Sequence, residues 1–98
     1  MTKYQIKKVC AEYVDILSRQ GRSPARHNKA SSREERLDHA MWMCGEIPSM
    51  FPDTVTGTEE FHSKKEKVMR WLGFVQGTLF AEGVRTIHEM RSDNRGEL

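Results

Sequence analysis

The sequence predicts an all-α fold, and three observations lead to that prediction. Apolar residues recur at three- and four-residue spacing in three segments, which is the periodicity of a helix with one buried face. Residues suited to capping helices precede two of these segments, and no segment alternates as a β-strand would. The length of 98 residues fits one domain, residues 1–98, and self-association would add to the modest stability of a core this small.

The first predicted helix covers residues 3–20. Its charges fall mostly on other faces than its apolar residues, which are Ile6, Val9, Cys10, Tyr13, Ile16 and Leu17. Gly21 ends the helix, because glycine readily adopts the left-handed conformation that follows many helices. Residues 21–31 are predicted to form a basic loop, since no acidic residue occurs between Arg19 and Arg33.

The second predicted helix covers residues 32–47. Ser32 and Glu35 have the spacing of a capping box, in which each side chain bonds the backbone N–H of the other residue. The apolar stripe of this helix is Leu37, Ala40, Met41, Cys44 and Ile47. Pro48 lacks the backbone N–H that would continue the helix, so residues 48–57 are predicted to form a loop.

The third predicted helix covers residues 58–82, and Gly83 follows its C-terminus. Thr58 is one candidate for its N-terminal cap, and a capping box at Ser63 and Glu66 is the alternative.

A short fourth helix is predicted over residues 87–92. Thr86 and Glu89 form a capping box at its start. Residues 93–98 are predicted to be a frayed tail.

The third helix has two apolar sides, which meet in the uncharged stretch WLGFVQGTLFA at residues 71–81. One side is the core stripe, with Met69 and Trp71 on its flanks; the stripe consists of Phe61, Val68, Leu72, Val75 and Leu79. Gly73, Phe74 and Gly77 lie on the opposite side with Arg70 beside them. Each glycine inside a helix costs roughly 1 kcal/mol relative to alanine, so a compensating contact is expected. That contact is either a tight helix crossing within the chain or one between copies.

Self-association is the preferred of these two interpretations. Trp42 and Met43 fall off the core stripe of the second helix, so they add a further apolar surface. We therefore predict a homo-oligomer, most simply a dimer, with an interface that includes Trp42, Met43, Gly73, Phe74 and Gly77.

The sequence predicts no enzyme, no cofactor and no metal site. Its four histidines lie far apart in the sequence, none of them four residues from another histidine or a cysteine, and no phosphate-loop or nucleophile motif is present. Cys10 and Cys44 lie on apolar helix faces, which predicts buried free thiols. A net charge of +2 makes DNA binding unlikely by itself, and the absence of a long apolar run predicts a cytoplasmic protein that does not cross a membrane.

Several residues of the C-terminal half have side chains that suit an anionic or nucleotide ligand. Guanidinium groups supply charge, aromatic rings supply stacking, and Thr86 exposes backbone N–H groups at a helix start. The candidate ligand-binding residues are Arg70, Trp71, Phe74, Gln76, Arg85, Thr86, Arg91 and Arg95, with Asn94 as a further polar group. The competing interpretation for each arginine is a solvated surface residue, and for Trp71 a core anchor.

Residues 70–95, RWLGFVQGTL…EGVRTIHEMRSDNR, preceded by LDHAMWMCGEIP at residues 37–48, resemble a set of small proteins encoded by tailed phages and prophages. The shared features are an HxxWMC-like second helix, a WLGFxQGxL helix and a GxxTIxExRxxNR ending. The resemblance covers about half of the chain and implies a phage accessory role.

A looser likeness is to the helical hairpin of phage anti-CBASS and anti-Thoeris sponge proteins. Those are small helical homo-oligomers that sequester cyclic nucleotide immune signals between subunits. The likeness lies in size, helical content and an RW-then-QG helix, and it assigns no individual binding residue.

These observations together predict a non-enzymatic phage or prophage counter-defence protein that sequesters a phosphate-bearing signalling nucleotide at subunit interfaces. The alternative is a protein that inhibits or adapts a host protein, with the arginines as surface charge. DNA binding through residues 19–33 and the first helix is the weakest of the three hypotheses.

Overall fold

The computed structural model describes residues 1–51 and 59–95, without the side chains of residues 59–61. Over these residues the chain is all-α, as predicted. Four α-helices follow one another as α1 (Lys3–Arg19), α2 (Arg33–Glu46), α3 (Glu59–Ala81) and α4 (Ile87–Asn94), and a 3₁₀ helix (Ile47–Met50) extends α2.

α2 is the central element, because it packs on both α1 and α3. The 3₁₀ helix contacts all three of these helices, and α4 packs on α1. The predicted stripes meet in one core. Its fully buried large side chains come from α1, α2, the 3₁₀ helix and α3, and include Ile6, Tyr13, Leu17, Leu37, Ile47, Leu72 and Leu79. Cys10 and Cys44 are buried there as free thiols, as predicted. A hydrogen bond with Cys10 and burial raise the pKa of Cys44, so this thiol stays protonated at neutral pH.

The two predicted glycine stops have the same geometry. Gly21 follows α1 with φ of 81°, and Gly83 follows α3 with φ of 74°. After α3, Gly83 N–H donates to Phe80 O at 3.1 Å and Val84 N–H donates to Leu79 O at 2.8 Å. This is the paired hydrogen bonding of a Schellman motif, which a residue with a Cβ would strain.

The N-terminal caps agree only in part with the sequence interpretation. Ser32 accepts from Glu35 N–H at 3.1 Å, but the Glu35 carboxylate accepts from the Ser31 and Ser32 hydroxyls, at 3.0 and 3.4 Å. α1 has a complete capping box at Thr2 and Gln5, which was not predicted. α3 begins at Glu59, so the alternative start at Ser63 is wrong.

Two predicted boundaries need correction. Residues 47–50 form the 3₁₀ helix where a loop was predicted from residue 48, because Pro48 occupies its first turn, where a missing N–H costs nothing. α4 continues to Asn94, so the frayed tail does not begin at residue 93. The rest of the predicted 48–57 loop, the Thr58 cap and residues 96–98 lie outside the described residues.

Candidate functional site

The side of α3 that points away from the core is exposed and mostly apolar. We call this surface the open face; its residues are Met69, Gly73, Phe74, Gly77, Phe80 and Ala81. Met69, Phe74 and Phe80 are 39%, 59% and 52% exposed, whereas Val68, Leu72, Val75 and Leu79 on the opposite side are at most 1% exposed. α3 therefore has one buried apolar side and one uncovered apolar side.

The two glycines of the open face are not used for packing within the chain. A Cβ added at Gly73 or Gly77 would meet no atom within 4 Å. The interpretation of these glycines as a tight crossing with α1 or α2 is therefore wrong. Both have ordinary helical geometry, so no left-handed conformation requires glycine at either position.

Aromatic rings form a row between α2 and α3. The Trp42 and Trp71 ring centroids lie 5.9 Å apart, His39 lies 5.4 Å from Trp42, and Phe74 is edge-on to His39 at 6.4 Å. Trp42 is thus half-buried against its own chain. Met43 is only 6% exposed and belongs to the core, so the expectation that it lies off the core stripe is wrong.

The basic loop follows α2 closely. Ala25 N–H donates to Asp38 O at 3.1 Å, and His27 N–H donates to the ring Nδ1 of His39 at 3.0 Å. Arg26 stacks over Trp42 at 5.3 Å from the ring centroid. The loop therefore forms a fixed wall beside α2.

A recess of about 200 Å³ lies between this loop, α2 and α3. Residues from all three elements line it, among them His27, Asn28, Arg36, His39, Phe74 and Thr78. Phe74 also borders two shallower grooves, one toward Gly77 and Glu82 and one toward Trp71 and Arg70. The open face and the recess are therefore continuous through Phe74. The described residues that line a wider recess of about 440 Å³ all belong to α3, among them His62, Met69 and Arg70.

Cations lie near the open face and the recess, and two of them lack an acidic partner among the described side chains. No carboxylate of residues 1–51 or 62–95 lies within ion-pair distance of Arg26 or Arg70. Arg36 is paired, with its Nε 2.6 Å from Glu82 Oε1. The rim of the open face therefore carries uncompensated positive charge, which attracts anions.

At the junction of α1, α3 and α4, polar side chains form a network around Asp93. Asp93 is completely buried and accepts two hydrogen bonds from Arg85, at 2.6 and 3.0 Å, and one from the Tyr13 hydroxyl at 2.7 Å. The Gln76 amide donates to the Tyr13 hydroxyl at 3.0 Å and to Asn94 at 2.7 Å. The bond to Asp93 raises the pKa of Arg85, and burial, together with the bond to Asp93, raises that of Tyr13. Because these side chains satisfy one another, the geometry gives Gln76, Arg85 and Asn94 a structural role.

Thr86 is a complete capping residue, as predicted. Its hydroxyl accepts from Glu89 N–H at 3.1 Å, and the Glu89 carboxylate accepts from Thr86 N–H at 2.9 Å. The hydrogen bond from Thr86 N–H lowers the pKa of the Glu89 carboxyl. The helix start thus has an acidic side chain of its own, which lessens its attraction for an anionic ligand.

The predicted ligand-binding residues therefore fall into three groups. Arg70, Trp71 and Phe74 lie along the groove beside the open face. Gln76, Arg85 and Thr86 belong to the α4 junction, and Arg91 and Arg95 are exposed on α4 and just after it. The sequence suggested that the basic loop could add phosphate contacts, but it did not indicate which groups meet at Phe74. These are Arg26 and His27 of the loop, Arg36 and His39 of α2, and Thr78 of α3. The only signal for them was the uninterrupted basic charge of the loop.

The described residues contain no group of three or more His, Cys, Asp or Glu side chains placed to hold a metal ion. None of the helices over those residues has the length and apolarity needed to cross a membrane. Comparison of the chain with protein-family models, with curated proteins and with solved structures finds no match.

Proposed function

We propose that this chain is a non-enzymatic, phage- or prophage-encoded counter-defence protein that assembles through the open face of α3 and binds a phosphate-bearing signalling nucleotide beside the resulting interface. The observation that carries the proposal is the uncovered apolar side of α3, which lies next to aromatic rings and unpaired cations. The host cytoplasm is the compartment that this role requires.

The shape of the open face supports assembly of identical copies. Gly73, Gly77 and Phe80 fall on one line of the helix, so two depressions are followed by a projecting ring. In an antiparallel α3–α3 pair, Phe80 of one copy lies against Gly73 of the second copy, and the reverse contact forms by two-fold symmetry. Such a pair removes three large apolar side chains from water on each copy.

The chemistry beside the open face supports an anionic ligand with an aromatic part. Arg26 and Arg70 supply charge that no described carboxylate neutralises, and exposed Phe74 supplies a ring for stacking. The proposal is capture of the ligand without turnover.

Thermal unfolding with a ligand panel tests this proposal. Cyclic di- and trinucleotides and ADP-ribose derivatives, each well above micromolar, are added to the native protein and to Arg70→Ala. A bound nucleotide raises the melting temperature of the native protein in proportion to occupancy, and less so for the variant. If no member of the panel shifts the native melting temperature, nucleotide capture is wrong.

The second candidate function is inhibition or adaptation of a host protein. The same open face favours it, because a groove with glycines at its floor fits an amphipathic helix of a partner. Pull-down from host lysate with the native chain and with Gly77→Leu separates the candidates. A host protein retained by the native chain and lost with Gly77→Leu, without any nucleotide-induced stabilisation, would favour the adaptor.

DNA binding through residues 19–33 and the first helix is the least supported alternative, because the loop directs His27 and Arg26 toward α2. It predicts DNA retention that falls steeply as salt increases. Absent or salt-independent retention would exclude it.

A further inference from the structure

We infer that the recess beneath the basic loop holds one planar heteroaromatic ring of a phosphate-bearing ligand, with the ring against Phe74 and a ring acceptor bonded to His39 Nε2. This inference rests on the proposed function and names the part of the ligand that is recognised and the residue that recognises it.

The size of the recess limits what it accepts. Its volume of about 200 Å³ is below the roughly 300–1,000 Å³ of pockets that enclose whole drug-sized ligands. It therefore has room for one ring system, while a sugar and phosphate attached to that ring remain at its mouth.

His39 is oriented as a hydrogen-bond donor. Its Nδ1 accepts from His27 N–H at 3.0 Å, so the neutral ring carries its proton on Nε2. Burial, together with His27 and Arg26, lowers the pKa of His39, so the neutral form prevails at pH 7. Nε2 has no hydrogen-bond partner among the described side chains and backbone groups, which leaves this donor available to a ligand.

The walls of the recess suit a flat ring. Phe74 stands nearly perpendicular to His39, with 82° between the ring planes, so a ring stacked on Phe74 is also nearly perpendicular to the His39 ring. Asn28 and Thr78 add polar groups on either side. The hydrogen bond from the loop holds the His39 ring in place before a ligand binds, which reduces the entropy cost of binding.

The charges near the recess fit a phosphate, since Arg36 lines it and Arg26 stacks over Trp42, the neighbour of His39. Arg26 has no described carboxylate partner, and Arg36 bonds Glu82 through Nε, which leaves its terminal nitrogens as further donors. Glu35, the nearest acidic side chain of α2 to His27, already lies 3.4 Å from His27 Nδ1 and accepts from the Ser31 and Ser32 hydroxyls. A ring that bears a phosphate is thus favoured over the same ring without one.

The test measures binding of adenosine 5′-monophosphate to the native protein by isothermal calorimetry and by tryptophan fluorescence, since Trp42 lies 5.4 Å from His39. Adenosine, ribose 5-phosphate and inorganic phosphate serve as part-ligands. We expect the nucleotide to bind at least about tenfold more tightly than any part-ligand. Each part-ligand lacks either the ring contact or the phosphate contact, and losing either one should weaken binding by about that factor or more.

Two variants locate the site. His39→Asn keeps an acceptor for His27 N–H but removes the Nε2 donor, and Thr78→Met fills the recess from the α3 wall. Both are expected to weaken nucleotide binding about tenfold or more, whereas His88→Asn on α4 leaves it unchanged.

Equal binding of the nucleotide by native protein, His39→Asn and Thr78→Met would overturn the inference, as would ribose 5-phosphate binding as tightly as the nucleotide. The solution mass of each variant is measured alongside. If the variants keep the native mass and a member of the wider panel still stabilises them, the recess inference fails while the proposed function stands.

Discussion

The two sides of α3 differ in how completely the chain satisfies them. On the side toward α1 and α4, Gln76 bonds Tyr13 and Asn94, and the buried Asp93 has three donors around it. On the other side, one residue further along, a Cβ added at Gly77 would meet nothing within 4 Å outside its own stretch of helix, and Phe74 is 59% exposed. The polar groups on the side toward α1 and α4 are thus satisfied within one copy, whereas the apolar open face stays exposed.

This difference shows why residue type alone is a weak guide to a binding site. Arg85 and Gln76 have side chains that suit a nucleotide, yet both are occupied by groups of their own chain. Gly73 and Gly77 have no functional groups, yet they mark the surface that is uncovered. Contacts, and not chemistry alone, separate the two sides.

We expect the largest effect on stability from removing the Asp93 carboxylate, the centre of the hydrogen-bond network. Asp93→Ala leaves Arg85 without its main partner in a largely buried position and removes the acceptor of the Tyr13 hydroxyl, so the free energy of unfolding should fall by about 3–5 kcal/mol. Urea denaturation followed by circular dichroism measures this loss. Asp15→Ala is the control, because Asp15 pairs with Arg19 on an exposed surface, where such pairs contribute about 1 kcal/mol or less. Equal losses for the two variants would contradict the assignment of Asp93 as the centre of the network.

A smaller loss is expected at Tyr13. Tyr13→Phe removes one hydrogen bond to Asp93 and one from Gln76 but keeps the ring in the core, so we expect a loss of about 1–3 kcal/mol. Tyr4→Phe, at a side chain that is 73% exposed, serves as the control and should change the same denaturation midpoint very little. A Tyr13→Phe protein as stable as the native one would show that the hydroxyl contributes nothing.

We expect the stability of the protein to depend on pH through His39, which lines the recess beside the open face. The pKa of His39 is lowered in the folded protein, so the unfolded chain binds more protons below its ordinary pKa of about 6.5. Stability should therefore be highest above about pH 6.5 and decline as the pH falls below it. His39→Asn, which does not titrate there, should flatten this part of the curve of melting temperature against pH. An unchanged slope in the variant would assign the pH dependence to other groups.

The smallest effects are expected from alanine at the helical glycines. Gly77→Ala and Gly45→Ala each add a methyl group into open space, so each should stabilise the single copy by roughly 0.5–1 kcal/mol. Only Gly77→Ala should also weaken assembly, because Gly45 lies outside the open face. Sedimentation at a series of concentrations measures the second effect, and identical association of both variants would argue against contact at Gly77.

Much of the fold follows from local patterns in the sequence. The stripe of α3, the glycine stops at Gly21 and Gly83, and the Thr86 cap each depend on residues a few positions apart, where helical geometry determines which side chains meet. The side of α3 that carries Gly73, Phe74 and Gly77 was predicted on the same basis, and the structure leaves it exposed.

What was missed depends on contacts that no local pattern reveals. Asp93 was assigned to a frayed tail, because its hydrogen bond to Tyr13 joins residues 80 positions apart in the sequence. The sequence gives no sign that His27 and His39 are neighbours, because they meet only where the loop runs back along α2. Met43 was placed outside the core from the pattern of the second helix alone, yet in the fold it is 6% exposed and borders the same groove as Trp71 and Phe74 of α3.

The central claim is that the open face of α3 joins copies of this chain, and the solution mass of the native protein and of Gly77→Leu tests it most directly. We expect the native protein to have at least twice the 11.4 kDa mass of one chain. We expect Gly77→Leu to have the mass of one chain and an unchanged helix content. A native protein that stays at 11.4 kDa at concentrations well above micromolar would contradict it, and so would a Gly77→Leu protein that keeps the native mass.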